Sequence, residues 1–251
     1  VQCLVALNVC RRGELRRGWS RCRACGRGTG HDAHHIIERR NIDATAKHGK
    51  AMNFWDERFS EPGYKYGTAP NAFVFEQASR LPAGARVLVP GDGEGRNGAW
   101  LAQQGHRVLS VDSSRVGLAK AHALAQERGV TIETLHADLT EWTPAPASCD
   151  AIVLTFVHLP ATVRRDAHRR LARALVPAGW LILEAFHPSQ LGRSSGGPKD
   201  VDMLVTLAAL RDDFTGLLDE RLGVETETLL DEGPGHQGPA AVTRYVGQRR
   251  G

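Results

Sequence analysis

The sequence predicts an α/β fold: a doubly wound, mostly parallel sheet of seven strands that ends in an antiparallel hairpin. Three observations carry this. Short apolar runs alternate with amphipathic stretches, Gly, Asn, Ser and Pro separate them at short intervals, and the last two segments alternate apolar and polar residues.

The elements follow in order. Trp55 to Pro70 reads as an aromatic loop punctuated by Gly and Pro. Asn71–Arg80 reads as a short helix with Asn71 as its N-cap. Arg86–Pro90 is a compact apolar strand running into a glycine loop, and Arg96–Gln104 is the next helix, stopped by Gly105. His106–Asp112 is a second strand. Ser113–Arg128 is a helix capped by Ser113 or Ser114 and ended by Gly129. Val130–His136 alternates as a third strand, and Asp150–Phe156 is the continuous apolar run of a strand buried on both faces. Pro160–Leu175 is a helix with proline in its first turn, followed by the turn Pro177-Ala178-Gly179 and a fifth strand, Trp180–Phe186. Leu204–Leu218 reads as helical, and Gly223–Leu230 and Ala241–Gly247 pair as the closing strands.

Composition divides the chain near Met52. Residues 1–51 carry eleven Lys or Arg against four Asp or Glu, so the basic excess sits there, whereas 52–251 is net −3. The larger part therefore has no electrostatic bias toward nucleic acid. No apolar run approaches the ~18 residues of a membrane span, and no secretory pattern follows the apolar opening, so the expected location is cytoplasmic. Cys3, Cys10, Cys22 and Cys25 lie in the first tenth of the chain and only Cys149 beyond, which excludes a disulfide framework for 52–251. The first 51 residues read as a basic, disordered extension, and Met52-Asn53-Phe54-Trp55-Asp56 reads as a natural beginning.

The chemistry concentrates at one sheet edge. Val87-Leu88-Val89-Pro90-Gly91-Asp92-Gly93-Glu94-Gly95-Arg96-Asn97 ends a strand and opens a helix, and glycines at alternate positions let the backbone turn sharply beside a ligand. A plain tight turn is the alternative. Asp112 ends the next strand, seventeen residues beyond Gly95, where a carboxylate suits ribose hydroxyls or else merely caps the following helix. Asp138-Leu139 follows the third strand as an acceptor beside an apolar contact, suited to an adenine, or forms only a turn. Thr155-Phe156-Val157-His158 ends the fourth strand, adding Thr155 and Val157 to the same edge. On the substrate side, His158, His187 and His236 follow strand ends, Trp55, Tyr64 and Tyr66 lie in the leading loop, and Gly192–Gly197 reads as a mobile lid. His236 and His187 are the candidate catalytic residues.

Val87–Ala102, Val108–Asp112, Ala137–Leu139 and Asp150–Leu159 resemble, in order, the motifs of class I S-adenosylmethionine-dependent methyltransferases, whose fold is Rossmann-like. Within that class the Gly-Glu-Gly-Arg-Asn run and Phe54-Trp55-Asp56-Glu57-Arg58-Phe59 resemble the tellurite-resistance and thiopurine methyltransferase group. The resemblance implies S-adenosyl-L-methionine as cofactor. Gly91, Gly93 and Gly95 would face its methionine moiety, Asp112 its ribose, and Ser113 and Asp138-Leu139 its adenine. Tyr66 and Arg96 would bind its carboxylate. Where many members of the class have an acidic residue two positions before the first glycine, this chain has Val89, which leaves the amine to backbone carbonyls or Asp92.

The implied acceptor is a small molecule, a thiol or a chalcogen oxyanion among the options, handled by a monomer or homodimer with no membrane partner. In the tellurite group a histidine at the position of His236 precedes a basic residue, whereas here Gln237 follows. Two rivals remain: an NAD-dependent oxidoreductase, which ordinarily spaces its glycines G-x-G-x-x-G, and an inactive interaction protein of the same fold. Separately, Cys22, Cys25, His34 and His35 have the residue types and spacing of a zinc site, with a metal-free basic tail as the other reading.

Overall fold

The computed structural model describes residues 53–251. The expected 1–51 extension, with Cys22, Cys25, His34 and His35, lies outside the described residues.

The strands are β1 (Arg86–Pro90), β2 (Arg107–Asp112), β3 (Glu133–His136), β4 (Cys149–Thr155), β5 (Leu175–Phe186), β6 (Leu218–Asp231) and β7 (Gln237–Arg249). They form one sheet in the order β3-β2-β1-β4-β5-β7-β6. The first five run parallel, and β7 is antiparallel to both β5 and β6. The expected seven-stranded sheet with its closing hairpin is therefore present. The order reverses between β1 and β4, and the crevice beyond their carboxyl ends is where open α/β sheets bind ligands.

Alternation along the strands builds a core on each face. Val87, Val89, Ala151, Val153 and Ile182 pack with Phe73, Leu101 and Leu124 on one side. Leu88, Ile152, Leu154, Leu181 and Leu183 pack with Leu171, Leu210 and Phe214 on the other. This two-sided burial is why β4 reads as an unbroken apolar run. The helices on the first face are α2 (Ala72–Gln77), α3 (Arg96–Gln103) and α4 (Arg115–Glu127), and those on the second are α5 (Ala161–Ala174) and α6 (Leu207–Phe214). Asn71 caps α2 by accepting from the Val74 N–H, and Ser114, the second of the two expected caps, holds α4 through the Gly117 N–H. Among the described residues no helix is long and apolar enough to cross a membrane.

Three expectations need correction. The leading aromatic segment is not all loop: Phe54–Phe59 forms helix α1, started by Asn53, whose Oδ1 accepts from the Trp55 and Asp56 N–H groups. The helix expected over Leu204–Leu218 is only α6, because Thr206 caps it late and Gly216, at φ +77°, ends it before Leu218 opens β6. The expected turn at Pro177-Ala178-Gly179 is absorbed into β5 as a register irregularity opposite Cys149–Ala151, with Ala178 at φ +63°.

Candidate functional site

The glycine loop leaves β1 and bends at once. The Gly91 N–H donates to the Val111 carbonyl at 2.7 Å, binding the loop to β2. Gly91 and Gly95 sit at φ +66° and +86°, and neither tolerates a side chain. A Cβ at Gly91 would lie 2.4 Å from Val157 Cγ2, and one at Gly95 2.5 Å from the Ala121 Cα.

Asp112 closes β2 directly beside this turn. One carboxylate oxygen accepts from the Gly93 N–H and the other from the Ser114 N–H, each at 2.8 Å. Burial pushes this carboxyl above its ordinary value, and the N–H groups of Ser114, Gly93 and Ser113 draw it part of the way back. A carboxylate has about four lone-pair sites, so these two bonds leave acceptor capacity for hydroxyl groups.

Helix α1 of the leading segment caps this loop through Phe59, Asp56 and Asn53, residues that no local pattern singles out. Phe59 of α1 is buried against Gly93 and Gly117. Asp56 accepts from the Ser114 hydroxyl at 2.7 Å and the Val116 N–H at 3.2 Å, and Asn53 donates to the Ser113 carbonyl. The hydrogen bond from Ser114 holds the Asp56 carboxyl below its usual range. A six-residue helix is too short to show a period, which is why only the aromatic composition was legible.

Three residues of the Gly-Glu-Gly-Arg-Asn run bind the scaffold. Glu94 accepts from the Lys65 N–H and pairs with Lys120 at 2.9 Å, pinning the leading loop. Asn97 accepts from the Asn71 N–H and donates to Thr155 Oγ1, both at 2.9 Å. Arg96, expected to meet a carboxylate of the ligand, is 6% exposed and is already paired with Glu232 at 2.8 Å, with the Tyr66 carbonyl as a second acceptor. Asp92, expected near an amine, accepts inward from the Ser110 hydroxyl and the Gly98 N–H, and burial raises its pKa to about 6. In the structure Arg96 and Asp92 thus both hold framework bonds.

No local pattern announces the polar network at β5, β7 and the β6–β7 turn. Asn71 Nδ2 donates to both Glu184 and Glu232, and Arg244 pairs with Glu184 at 2.6 Å. Burial works to raise the Glu232 carboxyl, but His236 and Arg96 outweigh it and hold the pKa at about 2.

Beside this network lies an aromatic cluster. The His236 ring is 4.4 Å from Tyr66, 4.6 Å from Phe156 and 5.2 Å from Phe186, and His158 stacks on Phe186 at 5.5 Å. Phe156 has φ +52°, a strained setting for a bulky residue at a strand end. Gly196, in the segment expected to be a lid, lies over His236: a Cβ there would approach its ring to 2.7 Å. Burial lowers the pKa of His236, and its Nδ1 donates to Glu232 at 3.3 Å.

His187 does not join the cluster's hydrogen bonding. Its Nδ1 accepts from the Ser189 N–H, capping a short turn, while Nε2 faces Glu225 at 3.6 Å. In the structure His187 thus caps the short turn that follows β5. Asp138 lies exposed after β3, with Oδ1 accepting from the Thr140 N–H and hydroxyl, and Leu139 is buried behind it. The Ser113 carbonyl accepts from His136 at 2.9 Å, and Arg58 Nε donates to the Tyr66 hydroxyl at 2.9 Å.

Residues 87–179 match the family described as a methyltransferase domain. Over 124 residues the chain is 37% identical to a ribosomal RNA small subunit methyltransferase C of Chromohalobacter salexigens, covering 47% of this chain and 37% of that protein. Over 86 residues it is 38% identical to a thiopurine S-methyltransferase of Xanthobacter autotrophicus, covering 32% of this chain and 38% of that one. The matches thus span under two fifths of the length of these relatives. Among solved structures, TehB from Haemophilus influenzae superposes with a TM-score of 0.61 at 18% identity, over 73% of this chain and 63% of that one. The N-methyltransferase NodS from Bradyrhizobium japonicum, solved with S-adenosyl-L-homocysteine, gives 0.53 at 17% identity, over 71% and 88%. At these identities the likeness is one of fold.

Proposed function

We propose that the chain, whose residues 87–179 match a methyltransferase domain, is a class I methyltransferase that transfers a methyl group from S-adenosyl-L-methionine to a small-molecule acceptor. One observation supports this most: Asp112, at the carboxyl end of β2, is held against the glycine loop at the sheet's switch point with acceptor capacity to spare. That arrangement fits the vicinal hydroxyls of a nucleoside.

In this reading Gly91, Gly93 and Gly95 give backbone access to the methionine moiety, with Thr155 and Val157 beside them. Ser113, Asp138 and Leu139 frame the adenine, and Tyr66 faces the carboxylate. Asp92 and Arg96 position the loop from behind, through Ser110, Gly98 and Glu232. Asn53, Asp56 and Phe59 join the site as its cover. The donor supplies a methyl group already activated on a sulfonium, so the chain's own task is orientation and exclusion of water. The α1 cap and the loop over His236 suit that task.

A small acceptor is favoured over nucleic acid because residues 52–251 carry a net charge of −3. The aromatic cluster suits a soft, neutral group such as a thiol better than a chalcogen oxyanion, since Arg96 is already paired with Glu232. The reading also includes a cytoplasmic location and a monomeric or homodimeric state. Calorimetry with S-adenosylmethionine, S-adenosylhomocysteine and NAD tests the proposal. Binding of the first two and not the third is expected, whereas NAD binding alone would favour the oxidoreductase and no binding an inactive relative.

A further inference from the structure

We infer that His158 takes the proton from the methyl acceptor, which is a neutral, proton-bearing nucleophile of the alkyl-thiol kind. This deepens the methyl-transfer reading and rests on it. The inference starts from a buried atom: His158 Nε2 has no hydrogen-bond partner among the described residues. Buried polar atoms are seldom left so, and each exception calls for an explanation.

The other ring nitrogen explains which form the imidazole takes. His158 Nδ1 lies 3.3 Å from the Met203 carbonyl oxygen. A carbonyl can only accept, so Nδ1 carries the proton, and in the neutral ring Nε2 presents a lone pair. Burial and the nearby His236 hold the pKa down at about 4, the Met203 bond opposing them, so the ring is neutral at physiological pH. The ring is also fixed in orientation by stacking on Phe186, with an interplanar angle of 13°. Phe186 in turn touches Phe156 and His236, so the His158 ring belongs to the aromatic cluster beyond the carboxyl ends of β4 and β5.

A weak base is sufficient for a thiol. As the acceptor sulfur uses a lone pair to form its new bond to the methyl carbon, the S–H proton becomes strongly acidic. The proton passes to Nε2, and the S–H bonding pair stays on the acceptor sulfur as a lone pair of the neutral thioether. The methyl–sulfonium bond breaks with its pair remaining on the donor sulfur. The imidazolium, whose second N–H has no acceptor among the described residues, gives up the proton to water as the thioether leaves and water enters.

Two readouts test this. In ¹⁵N-histidine NMR of the wild-type protein at neutral pH, the resonances that disappear in H158Q (or in H158N, should the first variant not fold) are expected to show a protonated Nδ1 and a bare Nε2. An Nε2–H tautomer overturns the inference. The second readout is kinetic, with labelled S-adenosylmethionine and two probes: benzyl thiol, which arrives protonated, and thiophenol, which arrives largely ionised. H158Q is expected to lower kcat/KM for benzyl thiol by about 100-fold or more, and for thiophenol by no more than about 3-fold. Equal losses on both make His158 a packing residue and overturn the role. A wild-type protein that binds S-adenosylmethionine yet methylates neither thiol overturns the acceptor class. Failure to bind S-adenosylmethionine at all is instead the failure of the parent reading.

Discussion

Asp112 ties the glycine loop to the start of α4 through one carboxylate, so an isosteric change separates its charge from its shape. In Asp112→Asn one oxygen becomes an NH₂ facing a backbone donor, Gly93 N–H or Ser114 N–H, which cannot accept it. Calorimetry should then show S-adenosylmethionine affinity falling by about 100-fold, and urea unfolding a stability loss of about 2 kcal/mol. Gly95→Ala probes the loop from the other side. Its Cβ would meet the Ala121 backbone at 2.5 Å in a left-handed conformation, so a loss of about 3 kcal/mol is expected by the same denaturation. At this scale the glycines and Asp112 were legible because turn and charge are local properties. The framework bonds of Asp92, Arg96 and His187 were not, because Ser110, Glu232 and Glu225 reach them from other elements.

Asn71 shows how a single cap can join elements. It starts α2 and also donates to Glu184 on β5 and Glu232 at the β6–β7 turn. Asn71→Ala removes the cap and leaves two buried carboxylates short of a donor. A loss of about 3 kcal/mol is expected in urea unfolding, well beyond the ~1 kcal/mol of an ordinary cap. The cap itself was readable, since Asn before an apolar stretch is a local signal, but its long-range partners were not. Element boundaries failed in the same sense. Six residues of α1 are too few to display a period, and the apolar pattern of α6 runs on through Leu217 to Leu218, where β6 begins.

For the molecule as a whole, two buried acids give opposing pH dependences. Asp92 has its pKa raised from 3.8 to about 6, so the stability it contributes is fully present below about pH 4 and is lost as the pH rises through 6, by about 3 kcal/mol. Glu232 has its pKa lowered from 4.5 to about 2, so its contribution is present above pH 4.5 and disappears as the pH falls toward 2. Urea titrations of wild type and Asp92→Asn between pH 4 and 7 should therefore diverge, the variant lacking the decline between 4 and 6. Identical curves would mean that Asp92 is not the group responsible.

Periodicity and turn chemistry by themselves determined the sheet, its parallel strands, the closing hairpin and the glycine loop beside Asp112, because each is written in residues close together along the chain. The tertiary structure alone decided which polar groups pair with each other and which buried atoms do not. Helix α1 over Gly93, the Asn71–Glu184–Glu232 network and the bare nitrogen of His158 all bring together residues far apart in sequence. Such pairings leave no trace in spacing, since they depend on where distant strands end relative to one another.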